Sequence, residues 1–406
     1  MHKTLIVLTF LALACTQAQA ALNFDETYRQ IAANSFELRA ADDDVSAMEA
    51  ATWQAGALPN PNLAVELDYI GSNAYSDNNE LFVGIVQPIE LGGKRSARVS
   101  LAEADQCLTA WKREIAANTL FVDVFNAFVD IAVAQERVAL ATQLEEASQT
   151  IFQSSTAQMT SGKVPPLEMK KTEINYHTAK LFTTKQKSLL TNAKKKLSIL
   201  WNGAQKDIGE VAFPLYTLTA PPTLEELSSA LDNNPEIAAG RAEVMKASKV
   251  ISLERTARIP DIDVAVGVST ERFYRDPTFS VGFDIDLPIF DRNEGNICRA
   301  SREYDKALYL QMALENRLKT YLELAYAEWV STYEQAEIFK NSIIPLAEET
   351  YNSALQSYNE QKLNYPEFLN ARIALFTLKQ QYLDTIEEYH HKYANVLKIR
   401  GRPCEN

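Results

Sequence analysis

Glycine is scarce in this chain, with 13 in 406 residues, and this scarcity suits long helices. Cysteine is rarer still. Cys15, Cys107, Cys298 and Cys404 share no spacing typical of a metal site, and setting Cys15 aside leaves an odd number, so a disulfide framework is not expected. Cys107 and Cys298 are interpreted as small apolar residues on helices.

Long apolar runs are absent after the N-terminus. Beyond residue 20 no run of eighteen or more apolar residues occurs, so the sequence predicts no transmembrane helix. The formal net charge is −13, which argues against a nucleic-acid partner. The same charge is compatible with a surface or passage that attracts cations.

Signatures of catalysis are also missing. No Ser–His–Asp set, no Cys–His set and no acid–base pair of carboxylates can be assembled, so neither an enzyme nor a cofactor is expected. Residues 93–96 (GKRS) resemble part of a phosphate-binding loop, but Pro88 stands where that loop has its first glycine, and Arg95 stands where a hydroxyl residue should follow the lysine. We interpret Gly92 and Gly93 as a turn from a strand to a helix.

Residues 1–20 are typical of an export signal. Lys3 gives the positive start, residues 5–14 the apolar segment, and residues 18–20 (AQA) a small-residue cleavage site. Lipoprotein processing at Cys15 is the alternative. Both interpretations take the mature protein out of the cytoplasm.

The longest feature is a run without proline or glycine over residues 94–161. Its apolar residues recur every three or four positions and therefore lie on one side of a helix, which at 1.5 Å per residue is about 100 Å long. Residues 160–166 (TSGKVPP) break this helix sharply, and a second helix is predicted over residues 167–201. Residues 94–201 therefore form a helical hairpin.

The same pattern returns in the second half of the chain. Residues 287–295 (LPIFDRNEG) correspond to residues 87–95 (QPIELGGKR). A second long helical run then covers residues 294–364, interrupted only by Pro345. It turns at residues 360–366 (EQKLNYP) and returns as a helix.

The chain is therefore predicted to be duplicated. Each repeat contains a helix, two strands and a long helical hairpin. The predicted segments are a signal peptide at residues 1–20, a first repeat at 21–203, a linker at 204–222, and a second repeat at 223–406.

Each hairpin is preceded by a helix and two short strands. Residues 22–57 are predicted as one helix, and strands are predicted at residues 63–70, 80–87, 261–270 and 279–287, with Pro88 ending the second. Large apolar side chains alternate with small or acidic ones, least cleanly in the second strand. This length and alternation fit a tilted membrane-spanning strand, but a soluble sandwich gives the same alternation, and the strand pattern alone favours the sandwich.

Export and the number of strands favour the membrane. Four strands cannot close a membrane barrel, and open sheet edges are not tolerated in lipid, so the subunit must share a barrel with copies of itself. A lone hairpin of this length could not bury its apolar faces, whereas a ring of hairpins could.

With the paired motifs at residues 87–95 and 287–295 in this order, the chain resembles the TolC family of outer-membrane efflux ducts over essentially the whole mature sequence. Within that family it most resembles the heavy-metal (cobalt–zinc–cadmium and copper–silver) resistance branch. The resemblance implies a mainly α fold with a small membrane β part. It also implies a homotrimer in the outer membrane of a Gram-negative bacterium, with twelve strands in one barrel and twelve helices in a periplasmic tunnel.

The resemblance further implies that the hairpin tips form the periplasmic gate and the docking surface for an adaptor protein. The family usually has glycine at the positions of Gly162 and Gln361, so Gln361 departs from the pattern and weakens the case for the second tip. The predicted contact residues are Gly162, Lys163, Val164, Pro165, Gln361, Lys362, Leu363 and Asn364.

Five acidic residues are predicted to line the barrel and to favour cations, because charges that face a wet lumen cost little and charges that face lipid are costly. The alternative is that they only keep the lumen wet. These residues are Glu66, Asp68, Asp263, Asp284 and Asp286.

His390 and His391, with Cys404 beyond them, invite a metal-site interpretation. No carboxylate or histidine recurs at ligand spacing, so we expect a solvated helix end and no metal site. His177 is interpreted as a surface residue.

The sequence leads to the hypothesis that the protein is a passive exit duct. An inner-membrane pump would deliver the substrates, which we expect to be heavy-metal cations, through a periplasmic adaptor. One alternative is a periplasmic adaptor, which is also an exported coiled-coil protein. The other is a duct for organic compounds or proteins.

Overall fold

The computed structural model describes residues 21–68, 80–203, 208–271, 276–360 and 362–401. The predicted signal peptide with Cys15, the predicted tip contact Gln361 and the C-terminal Cys404 lie outside these ranges. The described part is mainly helical with a small β part, as the sequence predicted.

Helices make up most of the described chain. In chain order they are α1 (Phe24–Asn34), α2 (Phe36–Ala55), α3 (Lys94–Thr160), α4 (Pro166–Leu200), α5 (Leu224–Ala230), α6 (Pro235–Thr256), α7 (Glu294–Ile338), α8 (Ile344–Asn359) and α9 (Tyr365–Arg400). The strands are β1 (Leu22–Asn23), β2 (Asn62–Asp68), β3 (Glu80–Ile89), β4 (Val211–Ala212), β5 (Ile262–Glu271) and β6 (Pro277–Ile285).

The single helix predicted over residues 22–57 is two helices that meet at Ser35. Ser35 has an extended backbone, and its side chain accepts a hydrogen bond from the Leu38 N–H at 3.3 Å. The side chain of Asn234, 199 positions later, caps α6 in the same way. Such a cap provides an acceptor for N–H groups that have no partner at a helix start. The continuous-helix prediction is wrong because it gave helix propensity precedence over this capping signal.

The predicted linker at residues 204–222 contributes β4, which pairs in parallel with β1 so that Leu22 lies opposite Val211. Gln135 on α3 holds β4 from the helix side. Its amide group donates to the Val211 carbonyl at 3.2 Å, and its Oε1 accepts from the Val211 N–H at 2.9 Å. Both backbone groups of Val211 therefore have side-chain partners.

The second long helix is interrupted near Pro345, as predicted. A π-helical turn at Phe339–Ile343 separates α7 from α8, and Pro345 lies at the start of α8. Proline has no N–H to donate to the carbonyl four residues earlier, and its ring crowds that carbonyl. The wider π turn accommodates both effects.

Several strand boundaries differ from prediction, and residues 69–70 of the first predicted strand lie outside the described ranges. The largest differences are at the end of β3 and at both ends of β6. β3 continues through Pro88 to Ile89, where it still pairs with β5. Its pairing with β2 ends at Val86, so the side of β3 that faced β2 has no partner strand at Pro88. Proline, which has no N–H, is tolerated at such an unpaired edge. β6 ends at Ile285, two residues earlier than predicted, so Asp286 lies beyond the strand.

The described chain divides into two compact units, each built from segments of both sequence halves. The first contains residues 21–34, 124–219 and 334–391. Its core includes Phe128, Ile131, Leu197 and Phe368, all fully or almost fully buried. The ring of Phe24 packs edge-on against Phe128 at 5.5 Å.

The second unit contains residues 35–123, 220–333 and 392–401. It holds the antiparallel sheet β2-β3-β5-β6 and the helices around it. Lys246 on α6 pairs with Asp105 on α3 at 2.9 Å.

One window of α3 is long and apolar enough to cross a membrane by length and composition. The sequence analysis, which looked for unbroken apolar runs, missed this window because polar residues are interspersed in it. Within the protein 61 % of this window is buried, which is typical of a core helix.

Gly92 and Gly93 form the turn from β3 into α3, as predicted, and both have left-handed backbones (φ 68° and 77°). Asp261 fixes the turn, because its carboxylate accepts from the Leu91 N–H at 3.0 Å and pairs with Lys94 at 2.8 Å.

We expect Gly92→Ala to destabilise the protein more than Gly93→Ala. Both substitutions put a side chain in the left-handed region, which costs about 1–2 kcal/mol. A Cβ at Gly92 would also lie 2.5 Å from Ile259 Cδ1, whereas a Cβ at Gly93 would meet no atom within 4 Å. Thermal unfolding of the two variants, followed by circular dichroism, measures the difference. Equal losses would contradict the close packing of Ile259 on Gly92.

His390 lies in the core of the first unit, so the solvated helix end expected there is wrong. It is 5 % exposed, and its Nε2 donates to the Leu215 carbonyl at 2.9 Å. Its ring packs edge-on against Phe213 at 5.2 Å. Burial and, to a smaller extent, the neighbouring His391 lower the pKa of His390, and the hydrogen bond to Leu215 opposes them only in part. The linker residues Phe213 and Leu215 cause this burial.

We expect the free energy of unfolding to fall as the pH drops below about 6.5. The unfolded chain takes up a proton near the ordinary histidine pKa of about 6.5, while folded His390 stays neutral to lower pH. The unfolded state then binds more protons, so stability decreases by up to about 1.4 kcal/mol per pH unit.

Urea unfolding of wild type, His390→Gln and His177→Gln at several pH values measures this component. Glutamine keeps a donor for Leu215 and does not titrate, so His390→Gln should show the smaller loss. His177 is exposed, and its variant should behave like wild type. Identical pH slopes for wild type and His390→Gln would contradict the assignment.

Candidate functional site

The register of the sheet sorts its side chains into two faces, because successive residues of a strand point to opposite sides. Val65, Val83, Val268 and Phe279 lie side by side in one row. We call the side that contains this row the apolar face. Its side chains are largely exposed in the single chain, and Phe279 reaches 83 %. The other large apolar residues of this face are Leu63, Leu67, Leu81, Ile85, Ile89, Ile262, Val264, Val266, Val281, Phe283 and Ile285.

The opposite side, which we call the acidic face, carries mostly small and acidic residues. Ala64, Gly84, Gly267 and Ser280 form its central row. Phe82 is the largest exception, and its ring lies over both glycines. A Cβ at Gly84 or Gly267 would lie 2.4 or 2.3 Å from the ring. The two glycines therefore provide the space for this aromatic side chain.

Asp263 and Asp284, both predicted from sequence, lie directly opposite each other on the acidic face. Asp284 is exposed and Asp263 is half-buried. Like charges in such a pair repel one another, so water or cations must screen them. Asp286 is exposed but lies beyond the end of β6, so the structure does not include it in this row.

Two further acidic side chains, Glu66 on β2 and Glu80 on β3, lie towards the other end of the acidic face. In the backbone register Glu80 is opposite Asp68 and Glu271, whose side chains lie outside the described part of the chain. Along β3, Glu80 and the position opposite Asp263 are about 26 Å apart at 3.3 Å per residue. The sequence analysis missed Glu80, although the continuing alternation at the strand end could have identified it.

The first hairpin tip is a helix end built around Gly162. Gly162 has a φ of 74°, and its N–H donates to the Met159 carbonyl at 3.0 Å. The Lys163 N–H donates to the Gln158 carbonyl at 2.9 Å, which completes a Schellman motif. Lys163 and Pro165 are exposed and Val164 is half-buried.

The second tip repeats part of this geometry. The Lys362 N–H donates to the Ser357 carbonyl at 2.8 Å, which is the equivalent bond 199 positions later. Lys362 and Asn364 are exposed and Leu363 is half-buried, like their counterparts in the first tip. The hydrogen bond therefore recurs although the chain has Gln361 where the family usually has glycine. Gln361 itself lies outside the described residues.

The second tip also carries an aromatic cluster. Tyr358 stacks on Phe368 with ring centres 4.9 Å apart and contacts Tyr365 at 6.1 Å. The Tyr365 hydroxyl accepts a hydrogen bond from the Asn175 amide on α4 at 2.8 Å.

In the described ranges, no group of three or more His, Cys, Asp or Glu side chains could hold a metal ion. His391 forms an ion-pair arrangement instead, with Nε2 at 3.0 Å from Asp130 Oδ1 and Lys196 on the other carboxylate oxygen at 3.7 Å. Burial alone would raise the pKa of Asp130, but His391 and Lys196 together lower it.

Two curated relatives are named for metal resistance. The cobalt-zinc-cadmium resistance protein CzcC of Cupriavidus metallidurans is 28 % identical over 386 residues, which cover 95 % of this chain and 91 % of the relative. The nickel-cobalt-cadmium resistance protein NccC of Alcaligenes xylosoxydans xylosoxydans is 25 % identical over 325 residues, covering 78 % of this chain and 70 % of the relative.

A solved structure of CusC has the same fold. It matches with a TM-score of 0.77 at 18 % identity and covers 94 % of this chain and 92 % of that chain. Residues 27–203 and 227–402 match the family model described as outer membrane efflux protein. The chain therefore belongs to the outer membrane efflux protein family.

Proposed function

We propose that this outer-membrane protein is the exit duct of a tripartite efflux system. Three copies would span the outer membrane and receive cargo from an inner-membrane pump through a periplasmic adaptor protein. The four-stranded sheet carries the proposal, because its apolar face is exposed and its edge strands β2 and β6 each pair on one side only within the described residues. The duct is passive, and the pump supplies the energy.

The unpaired backbone groups at the sheet edges support the proposed homotrimer. In hydrocarbon, unpaired N–H and C=O groups are too costly, so only a closed barrel is stable. β6 of one copy would therefore pair with β2 of the next. Three four-stranded sheets make twelve strands, an even number within the range of outer-membrane barrels. The apolar face then contacts lipid, and the acidic face lines the lumen.

Heavy-metal cations are the proposed cargo. The names of the two metal-resistance relatives support this cargo class. Threefold repetition would arrange the described acidic residues of this face in rings, and rings of carboxylates favour cations in a channel. Exposed, dispersed carboxylates suit passage better than tight binding, because a transported ion must also leave.

The hairpin tips are the proposed gate and adaptor contact. Exposed lysines stand at equivalent positions, Lys163 and Lys362, and Pro165 and Asn364 begin the returning helices. Separation of the tips by the adaptor would open the duct through a shift of packed helices. Family membership disfavours the alternative that this chain is itself the adaptor.

We expect the purified protein to form cation-selective pores in planar bilayers, and we expect Asp263→Asn combined with Asp284→Asn to reduce that selectivity. One charge at about 8 Å in water contributes about 0.5 kcal/mol, roughly a twofold change in local cation concentration. The effect should vanish in about 1 M salt, where the screening length is about 3 Å.

Asp43→Asn, on the exposed surface of α2, is the matched control and should leave selectivity unchanged. Pores whose selectivity is unaffected by the double substitution would exclude a lumenal role for these two aspartates. If a strain that lacks this protein becomes sensitive to organic compounds but not to metals, the alternative of a duct for organic compounds is favoured.

We expect Lys163→Glu combined with Lys362→Glu to reduce co-purification of the adaptor by about tenfold, because charge reversal places like charges in the contact. The control is Lys187→Glu, also exposed but far along α4 from the tip. Full adaptor recovery with the double variant, or equal losses with the control, would refute the tip assignment. Fractionation must show that each variant reaches the outer membrane.

A further inference from the structure

Arg372 is a buried cation that the proposed efflux function does not use. It lies on α9, seven residues after Tyr365 begins that helix, and it is 3 % exposed. Burial lowers the pKa of its guanidinium, and the nearby hydroxyls of Tyr365 and Tyr351 oppose this effect. Arginine nevertheless stays charged at neutral pH.

The hydrogen-bonding capacity of this guanidinium is not met within the described residues. Nε and Nη1 are both buried and have no acceptor there. The ring of Phe368 lies 6.0 Å from the guanidinium carbon, which covers a face of the group but accepts none of its N–H bonds. A buried charge without a partner is strongly unfavourable, so an anion at this position would be stabilising.

A cavity of about 280 Å³ adjoins Arg372 between α3, α4 and α9. Its walls are largely apolar and include Leu140, Phe182 and Phe376. Its polar members, Ser148 and Asn175 among them, are neutral, and the described lining contains no acidic residue. The cavity therefore has one positive charge and nothing on its walls to balance it. Its volume lies slightly below the usual range for drug-sized ligands, which points to a smaller molecule.

We propose that this cavity binds a small monocarboxylate, with the carboxylate on Arg372 and a short apolar tail against the walls. The Nη1–Nη2 edge of a guanidinium presents two parallel N–H bonds, which match the two oxygens of a carboxylate in geometry and charge. Arg372 is itself one of the lining residues, so a carboxylate in the cavity lies next to its side chain. A phosphate or sulfate dianion fits less well, because the apolar walls cannot replace its hydration. The site is independent of the proposed cargo.

The test uses the purified full-length protein in detergent, with butyrate as the probe and butyramide as an uncharged probe of the same shape. Butyrate should raise the midpoint of thermal unfolding of wild type, and butyramide and equimolar sodium sulfate should not. Arg372→Met keeps a long side chain without the charge and should weaken butyrate binding by at least about tenfold.

The matched control is Lys379→Met on the same helix, whose ammonium pairs with Glu348 at 2.6 Å and which should bind butyrate like wild type. If Arg372→Met does not fold, Arg372→Lys replaces it, because lysine keeps the charge but loses the paired N–H edge. Crystals soaked in 4-bromobutyrate should show anomalous bromine density inside the cavity.

Several outcomes overturn the proposal. They are no stabilisation of wild type, equal stabilisation of Arg372→Met, equal effects of butyrate and butyramide, and bromine density outside the cavity. Loss of the oligomer in Arg372→Met, with no butyrate binding by wild type, would instead assign the missing carboxylate to a neighbouring copy of the chain.

Discussion

The outer sides of β2 and β6 present backbone N–H and C=O groups for which the described chain offers no sheet partner. The exposed apolar face makes this requirement severe, because a surface suited to hydrocarbon excludes the water that would otherwise satisfy these groups. Closing the sheet with further copies meets both needs at once. The alternation within each strand then acquires a physical meaning, since in the proposed barrel one side would face lipid and the other a wet interior. The small residues on the acidic face leave room for that interior, with the ring of Phe82 over Gly84 and Gly267 as an exception.

The two sequence halves use the same local chemistry with different residues. Ser35 and Asn234 cap equivalent helices, although one is a hydroxyl and the other an amide. The hydrogen bond that ends the first long helix recurs at the second tip beside a glutamine. The halves diverge at the π-helical turn before Pro345, which α3 lacks. Duplication has therefore preserved the hydrogen bonds at helix ends more faithfully than the side chains that make them.

The two compact units differ in how far their charged groups are exposed to solvent. In the second unit the carboxylates of Asp263 and Asp284 repel each other but remain open to solvent, so screening keeps them tolerable. In the first unit the guanidinium of Arg372 lacks that screening, and its Nε and Nη1 have no acceptor among the described residues. Exposed acids are suited to ions in transit, whereas a buried, uncompensated cation is suited to holding an anion.

The sequence by itself determined the features that depend on local periodicity. The spacing of apolar residues identified the long helices, the alternation identified the four strands of the large sheet, and the glycine pair identified the turn into α3, because each signal is contained in neighbouring residues. Tertiary structure alone decided which distant residues meet. The pairing of β1 with β4, the burial of His390 and the lack of an acceptor for Nε and Nη1 of Arg372 among the described residues depend on segments far apart in the chain. The placement of Asp263 opposite Asp284 likewise exists only once the strand register is fixed, and a shift by one residue would move each side chain to the other face.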